Sequence, residues 1–126
     1  MNNRATGIRG EITAAEYLKN KGYKIIALNY TNSIGEIDII ATKELADGES
    51  PFTKMGINTI TVFVEVKARA TAAFGLPREA VTYYKQQQVR RVATLWLRNK
   101  GLLDSMVRFD VIEILGNQIT HFEDAF

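Results

Sequence analysis

The sequence predicts an α/β fold, with an αβββαβ core whose central mixed sheet is flanked by helices and an extra C-terminal strand. Two segments have the apolar spacing of helices, and each is followed by a glycine. Between and after them lie segments rich in β-branched and aromatic residues, as expected of strands. With 126 residues, 46% of them hydrophobic and 24% charged, the chain is expected to form a single domain over residues 1–126.

The first predicted helix spans about residues 4–21 and ends at Gly22, a common helix terminator. The second begins at Pro77, which favours a first helical turn, and continues over residues 79–100 to Gly101. The apolar faces are expected to comprise Ile8, Ile12, Ala15 and Leu18 in the first helix, and Val81, Tyr84, Val89, Val92, Leu95 and Trp96 in the second.

Strands are predicted at residues 23–30, 35–42, 59–69, 106–115 and 118–122, with a turn at Gly116 and Asn117 joining the last two. Residues 43–58 separate the second and third strands. Hairpin loops usually have about two to five residues, so this connection is unusually long. It is expected to be mobile, to cover the groove beside the acidic residues described next, or to dock a partner protein.

The third strand places apolar residues on one face and charged residues on the other. Alternation puts Val64 and Val66 on the apolar face, and Glu65, Lys67 and Arg69 on the opposite face. Glu65 and Lys67 therefore point the same way.

The second strand contributes Asp38, which is expected to lie beside Glu65. Two carboxylates and the carbonyl of Val66 suit Mg²⁺ or Mn²⁺, which prefer oxygen ligands and keep several waters. Lys67 is placed to orient an attacking water or to stabilise the transition state. Such a site favours phosphodiester hydrolysis.

The first helix turns Glu11 towards the body of the protein, because this residue falls within the apolar stripe. It is interpreted as a further metal ligand or as a ligand, through water, of a second ion. The alternative is a glutamate at the edge of the core that pairs with a Lys or Arg or reaches water. Glu36 lies on the same face as Asp38 and either supports the ligands or is solvated.

Charge is segregated along the chain, although the net charge is only +2. Residues 34–66 carry six acidic and two basic groups, whereas residues 67–100 carry eight basic and one acidic. This layout is typical of a metal site beside a phosphate-binding surface. The residues expected to contact nucleic acid are Lys85, Arg69, Arg78, Arg90 and Arg91. The alternatives are a solvated basic helix face and, for Lys85, a stem that lies along apolar surface.

The chain has no cysteine, which excludes disulfides and thiolate zinc sites. No segment approaches the roughly 20 apolar residues of a membrane helix, so the protein is expected to be cytoplasmic and not membrane-bound. The single histidine, His121, has no ligand pattern around it and is interpreted as structural.

Four short motifs together resemble those of the YraN-like family of small bacterial proteins. They are Gly7-Ile8-Arg9-Gly10-Glu11, Gly35-Glu36-Ile37-Asp38-Ile39-Ile40-Ala41, Val62-Phe63-Val64-Glu65-Val66-Lys67-Ala68-Arg69 and Gly75-Leu76-Pro77-Arg78-Glu79-Ala80-Val81. That family is similar to archaeal Holliday junction resolvases and to restriction-endonuclease-like PD-(D/E)XK nucleases.

The resemblance implies that Glu11, Asp38, Glu65 and Lys67 occupy catalytic positions, with magnesium or manganese as cofactor. It also implies a restriction-endonuclease-like fold and an endonuclease that acts on DNA, including branched DNA. The chain departs from the pattern at Ile37, where the superfamily name implies proline, and in the length of the 43–58 loop.

A nuclease that cuts both strands of a junction needs two active sites at a fixed separation, which a symmetric homodimer provides. The competing hypothesis is a non-catalytic nucleic-acid-binding module of the same fold.

Overall fold

The computed structural model describes the backbone of residues 3–69 and 81–126 and the side chains of residues 10–69 and 81–126. Within this part, the elements are α1 (Asn3–Asn20), β1 (Lys24–Thr31), β2 (Glu36–Glu44), β3 (Thr59–Arg69), α2 (Tyr83–Asn99), β4 (Met106–Leu115) and β5 (Gln118–Phe122). A short 3₁₀ helix, Pro51–Met55, lies between β2 and β3. The predicted αβββαβ order with an extra C-terminal strand is confirmed for the described elements.

The described strands form a five-stranded sheet in the order β1-β2-β3-β4-β5. Strands β3 and β4 are parallel, and each of the other neighbouring pairs is antiparallel, so the sheet is mixed. The chain segment that contains α2 connects the two parallel strands. This topology places β3, which carries most of the candidate site residues, at the centre of the sheet.

The first core cluster lies between α1 and the sheet. Leu18 of α1 and the strand residues Val62 and Val64 have no exposed surface there. Burial of such side chains contributes roughly 1.5–3 kcal/mol each. The even-numbered apolar residues of β3 therefore share one face, as the alternation predicted, and this face meets α1.

The second core cluster lies between α2 and the opposite face of the sheet. Phe63, Val89 and Val92 are fully buried in it. The rings of Phe63 and Trp96 meet edge to face, with centroids 5.8 Å apart and an interplanar angle of 83°. Since Phe63 faces α2, alternation brings Glu65 to the same side of the sheet.

The predicted second helix is not continuous, because Val81 and Thr82 are not helical and α2 begins at Tyr83; the predicted start at Pro77 lies outside the described residues. Thr82 has an extended backbone, and its Oγ1 accepts the N–H of Lys85 at 3.2 Å. Its carbonyl accepts the N–H of Gln86 at 2.8 Å, which begins the helical hydrogen bonding. The hydroxyl cap satisfies a donor of the first turn and sets the start of the helix.

Both described helices end at a glycine in the left-handed region, as predicted, with φ 93° at Gly22 and 70° at Gly101. In each case the following residue donates its N–H to a carbonyl five residues earlier, at 3.0 Å for Tyr23 to Leu18. A side chain would strain this conformation. Neither described helix has the combination of length and apolar character needed to cross a membrane.

Two residues assigned to apolar faces are exposed instead: Ile12 to 52% and Tyr84 to 75%. In α1 the small residues Ala14 and Ala15 face the sheet. Neighbours on a helix face are three or four residues apart. In α2 the neighbour one turn before the buried Val89 is therefore Lys85, and Tyr84 lies outside this face. The other assigned side chains are at least partly buried, apart from Ile8, whose side chain lies outside the described set.

The β2–β3 loop lies at the far end of the hairpin from Asp38. Glu44 pairs with Thr59 at the loop end, about 20 Å along the strands from Asp38. The expectation that this loop covers the groove beside the acidic residues is therefore wrong. The hydrogen bond from the Leu45 N–H to the Asn58 carbonyl, at 2.6 Å, closes the loop at its base.

Candidate active site

Asp38 lies where β2 and β3 separate. The paired register of the two strands runs from Glu44 opposite Thr59 to Ile39 opposite Val64 and stops there. Beyond it, Oδ2 of Asp38 accepts the backbone N–H of Val66 at 2.8 Å. A side-chain carboxylate thus replaces the carbonyl that a continuing strand would supply. We call the group Asp38, Glu65 and Val66 the β2–β3 fork.

Glu65 is the buried carboxylate of the fork, with 2% of its surface exposed. Burial raises its pKa to about 8, and the negative charge of Asp38 acts in the same direction against the opposing charges of Lys85 and Lys67. Oε2 lies 3.9 Å from Nζ of Lys85. Oε1 is buried and has no hydrogen-bond partner among the described residues. An acceptor left in this state is costly, by about 1–3 kcal/mol, and its presence is consistent with a bound group that completes the site.

Glu11 reaches the fork because α1 comes very close to β3. A Cβ added at Gly10 would lie 2.9 Å from the Cβ of Ala68, so only glycine permits this approach. Burial raises the pKa of Glu11 to about 7, and the negative charges of Asp38 and Glu36 act in the same direction. The clustering of carboxylates therefore favours the protonated form of Glu11.

Two lysines flank Glu65. Lys67 follows it by two residues on the same face of β3 and is partly buried. Lys85 lies in the first turn of α2, and its side chain is 30% exposed. The positive charges of both residues lower the pKa of Glu65. The structure therefore brings together Glu11, Asp38, Glu65 and Lys67, and adds Lys85.

The donor set of the fork fits a hard divalent cation. Asp38, Glu65 and Glu11 offer carboxylate oxygens, and Val66 offers a carbonyl, all of which suit Mg²⁺ and Mn²⁺. Among the described side chains, no group of three or more His, Cys, Asp or Glu residues forms a ready metal cage. Magnesium needs only one or two carboxylates, since it keeps several waters, and the unpaired Oε1 of Glu65 supplies an available donor.

The arginines expected to contact nucleic acid lie in different surroundings. Arg69 is partly buried at the end of β3, and Arg78 lies outside the described residues. The guanidinium carbon of Arg90 lies 5.0 Å from the ring centroid of Phe109 and 5.8 Å from that of Phe126, distances typical of cation–π contacts. Arg91 is exposed on α2.

Sequence reasoning missed a concave surface along α2, which we call the α2 trough. Its first part, about 310 Å³, is lined by Ser33, Ile34, Tyr84, Gln87, Gln88 and Arg91. Its second part, about 250 Å³, is lined by Ile34, Arg91, Thr94, Leu95 and Arg98. The signal was present in the sequence, because positions 84, 87, 91, 94 and 98 share a helix face. Assigning Tyr84 to the apolar face of the helix hides this signal, because its side chain is exposed.

The turn between β1 and β2 forms the other wall of the trough and is tied to α2. Nδ2 of Asn32 donates to the carbonyl of Val92 at 3.3 Å, and Nε2 of Gln88 donates to the carbonyl of Ile34 at 3.3 Å. Oδ1 of Asn32 also accepts the N–H of Ile34 at 2.9 Å. These contacts fix the distance between turn and helix.

A second polar cluster lies on the α1 side of the sheet. Asp110, fully buried, accepts hydrogen bonds from Nε and Nη2 of Arg108 at 2.8 and 2.9 Å and from the N–H of Asp124 at 3.0 Å. Nε2 of His121 lies 2.6 Å from its Oδ2, and Arg108 also donates to the hydroxyl of Tyr23 at 2.6 Å. His121 thus belongs to a buried network on the sheet face opposite Glu65.

Similarity to known proteins identifies the family of the chain. Residues 10–114 match the family model described as uncharacterised protein family UPF0102. A UPF0102 protein of Alkaliphilus oremlandii is 44% identical over 130 residues, which cover 98% of this chain and 99% of the relative. A UPF0102 protein of Geobacter sulfurreducens is 42% identical over 129 residues, covering 98% of this chain and 90% of the relative.

A third relative extends the same pattern. A UPF0102 protein of Alkaliphilus metalliredigens is 41% identical over 126 residues, and the match covers 98% of each chain. The shared region includes both strands of the fork and the segment of α1 that carries Glu11. The chain therefore belongs to the UPF0102 family, which confirms the YraN-like membership that its motifs predicted.

Proposed function

We propose that the protein is a Mg²⁺- or Mn²⁺-dependent endonuclease that hydrolyses phosphodiester bonds in DNA, with branched, Holliday-junction-like DNA as a leading substrate. The observation that carries the proposal is the β2–β3 fork, where a buried glutamate with an unpaired oxygen lies beside an aspartate and two lysines. The αβββαβ order and the positions of Glu11, Asp38, Glu65 and Lys67 also resemble those of PD-(D/E)XK nucleases, which supports a restriction-endonuclease-like classification.

The residues that would hold the cation are Asp38, Glu65, the carbonyl of Val66 and, directly or through water, Glu11. A divalent cation supplies charge neutralisation at the phosphate and lowers the pKa of a bound water. Because Glu65 and Glu11 have raised pKa values, cation binding at this site releases protons.

The lysines provide the remaining chemistry. Lys67, an ammonium on the same strand face as Glu65, donates hydrogen bonds to the attacking water or to a phosphoryl oxygen. Lys85 approaches Glu65 from α2 and contributes a second positive charge for the scissile phosphate. Strand β3 positions the backbone of Lys67, and the cap at Thr82 positions the backbone of Lys85, so both side chains extend from rigid elements beside Glu65.

A two-fold dimer would present two such sites to a junction. The edge strand β1 exposes the apolar side chains of Ile26 and Leu28, at 40% and 46%, on the surface available to a second copy. Light scattering of the purified protein tests this arrangement, with Leu28→Lys as the variant expected to give monomers.

The alternative is a non-catalytic nucleic-acid-binding module of the same fold. It is favoured by the position of Lys85, whose Nζ lies 3.9 Å from Oε2 of Glu65, where a positive charge would oppose a bound cation. In that case, binding would depend on salt but not on the cation, and Asp38→Asn would leave the affinity unchanged.

The deciding experiment measures cleavage of labelled four-way junction, flap, duplex and single-stranded DNA in Mn²⁺ and in Mg²⁺. The variants are Glu65→Gln and, as a matched control, Glu16→Gln, which makes the same chemical change at an exposed position of α1. We expect wild type and Glu16→Gln to cut and Glu65→Gln not to cut. Cleavage by Glu65→Gln at the wild-type rate would overturn the proposal, as would no cleavage of any substrate by wild type.

A further inference from the structure

We propose that the α2 trough binds a single strand of DNA and leads it to the β2–β3 fork. The two parts of the trough share Ile34 and Arg91, so they form one continuous surface beside α2. Strand binding stands on the trough alone, whereas the delivery of the strand to the fork rests on the proposed nuclease function.

The described side chains that line the α2 trough include positively charged groups and no negatively charged ones. Arg91 and Arg98 are both exposed, and neither forms an ion pair with another described residue. None of the described lining side chains is acidic. Exposed guanidinium groups in such a surface suit phosphates, because they neutralise the backbone of DNA regardless of its sequence.

The positions of the polar and aromatic groups suit a strand that runs along the helix. Tyr84, Arg91 and Arg98 are spaced seven residues apart, close to two helical turns, so they face the same way. The distance from the first to the last is roughly 21 Å, at 1.5 Å per residue. At 3.4 Å per nucleotide, this length corresponds to about six nucleotides of one strand.

The exposed ring favours a single strand over a duplex. Tyr84 is 75% exposed at one end of the trough, which leaves a face of the ring open. Bases stack on such rings only when they are unpaired and unstacked, as in single-stranded binding grooves that combine aromatic side chains with positive charge. Ile34 and Leu95 provide an apolar floor between the arginines.

The trough adjoins the fork through Gln88. This residue donates to the Ile34 carbonyl at 3.3 Å and lies one helical turn beyond Lys85, whose Nζ is 3.9 Å from Oε2 of Glu65. A Cβ added at Gly35 would lie 3.0 Å from Nε2 of Gln88, so the turn rests directly on the helix. From Gly35 the chain enters β2 and reaches Asp38 three residues later.

The test measures binding by fluorescence anisotropy, with labelled oligothymidylate and a blunt duplex of equal length as probes. It uses the Glu65→Gln protein without divalent cations, so the result does not depend on cleavage. We expect the single strand to bind more tightly than the duplex. Tyr84→Ala should weaken single-strand binding about tenfold and Tyr84→Phe should not, because stacking needs the ring and not the hydroxyl.

The arginines are tested by salt dependence. In Arg91→Gln/Arg98→Gln, the slope of log K against log salt should fall in magnitude by about 1.4, which is about 0.7 for each phosphate contact to a single strand. The matched control is Lys19→Gln/Lys54→Gln, which removes two exposed positive charges elsewhere.

Three results would overturn the inference: equal affinity for duplex and single strand, no effect of Tyr84→Ala, or equal losses in the arginine variant and the lysine control. Single-strand binding together with absent cleavage by wild type would count against the proposed nuclease function alone. Cleavage that persists without trough binding would count against the trough alone.

Discussion

Oδ2 of Asp38 accepts the backbone N–H of Val66 at 2.8 Å, one residue beyond the paired Ile39 in β2 and two residues beyond the paired Val64 in β3. The negative charge of the same side chain raises the pKa of Glu11 in α1 and of Glu65, which faces α2. Asp38 thus acts electrostatically on groups from both sides of the sheet. Substitutions of Asp38 can separate the effect of its hydrogen bond to β3 from the effect of its negative charge.

We predict that Asp38→Asn and Asp38→Ala differ in their free energy of unfolding but that both lack cleavage activity. The asparagine retains a carbonyl oxygen that can accept the N–H of Val66, whereas alanine leaves this donor unsatisfied and lowers the free energy of unfolding by about 1–3 kcal/mol. Both variants should lose metal-dependent cleavage. Urea unfolding and the cleavage assay measure the two effects, and equal stabilities for the two variants would show that the hydrogen bond does not hold the fork.

Glu65 is predicted to make the metal-free protein less stable as the pH rises. Its pKa is raised from 4.5 to about 8, so between these values the folded state retains a proton that the unfolded state has released. The free energy of unfolding therefore falls as the pH rises through this window. Glu65→Gln removes this dependence, and its Tm should exceed that of wild type above about pH 8 and approach it near pH 5. A constant difference across the range would contradict the assignment.

Mn²⁺ is predicted to raise the Tm of wild type more strongly at higher pH. The cation competes with the protons held by Glu65 and Glu11, whose pKa values are about 8 and about 7. Thermal unfolding at several pH values, with and without Mn²⁺, measures the effect. Glu65→Gln should show little stabilisation by Mn²⁺, and Glu16→Gln should behave as wild type. An equal shift in Glu65→Gln would place the cation elsewhere.

Gly10→Ala is predicted to move α1 away from β3. The added Cβ would lie 2.9 Å from the Cβ of Ala68, and overpacking of this kind costs about 1–3 kcal/mol, against a gain of up to about 1 kcal/mol in helix propensity. Activity should fall because Glu11 follows directly. The double variant Gly10→Ala/Ala68→Gly should recover both properties. If it recovers neither, the close approach is not what positions Glu11.

The buried network around Asp110 is predicted to make the protein sensitive to acid. Burial alone would raise the pKa of Asp110, but hydrogen bonds from His121, Arg108 and the Asp124 N–H outweigh it and lower the pKa. This stabilisation is present above the unfolded value of about 3.9 and is lost as the pH falls below it.

Asp110→Asn should lower the free energy of unfolding by about 3 kcal/mol, because it leaves the partly buried guanidinium of Arg108 without its carboxylate. Glu123→Gln is the matched control. Glu123 also pairs with Arg108, at 3.7 Å, but its side chain is 57% exposed, and such pairs contribute about 0–1 kcal/mol. Comparable losses in the two variants would show that burial of Asp110 does not govern the network.

The order and the type of the elements could be predicted from the sequence because their local signals are strong. The last two strands match the predicted residues 106–115 and 118–122. The start of α2 at Tyr83 could not be found in this way, because the hydroxyl cap at Thr82 is a weaker signal in the sequence than Pro77, which lies outside the described residues. Ile12 illustrates the same limit, because tertiary contacts rotated α1 towards its alanines.

The candidate site was predicted in part. Alternation along β3 was enough to place Glu65 and Lys67 together, and the apolar stripe of α1 indicated that Glu11 turns inward. The separation of β2 from β3 at Asp38 depends on pairing between residues that are distant in the chain, and local sequence patterns do not reveal such pairing. For the same reason, the proximity of the β1–β2 turn to α2, and with it the trough, emerged only from the structure.

The closed base of the β2–β3 loop has a practical consequence. Because the hydrogen bond between Leu45 and Asn58 closes the loop, and the fork lies at the other end of the strands, a change in loop length should not shift the strand register. Residues 46–49 are exposed. This part of the molecule therefore offers an attachment point for a fluorescent reporter or an affinity label that leaves both the fork and the trough open to substrate.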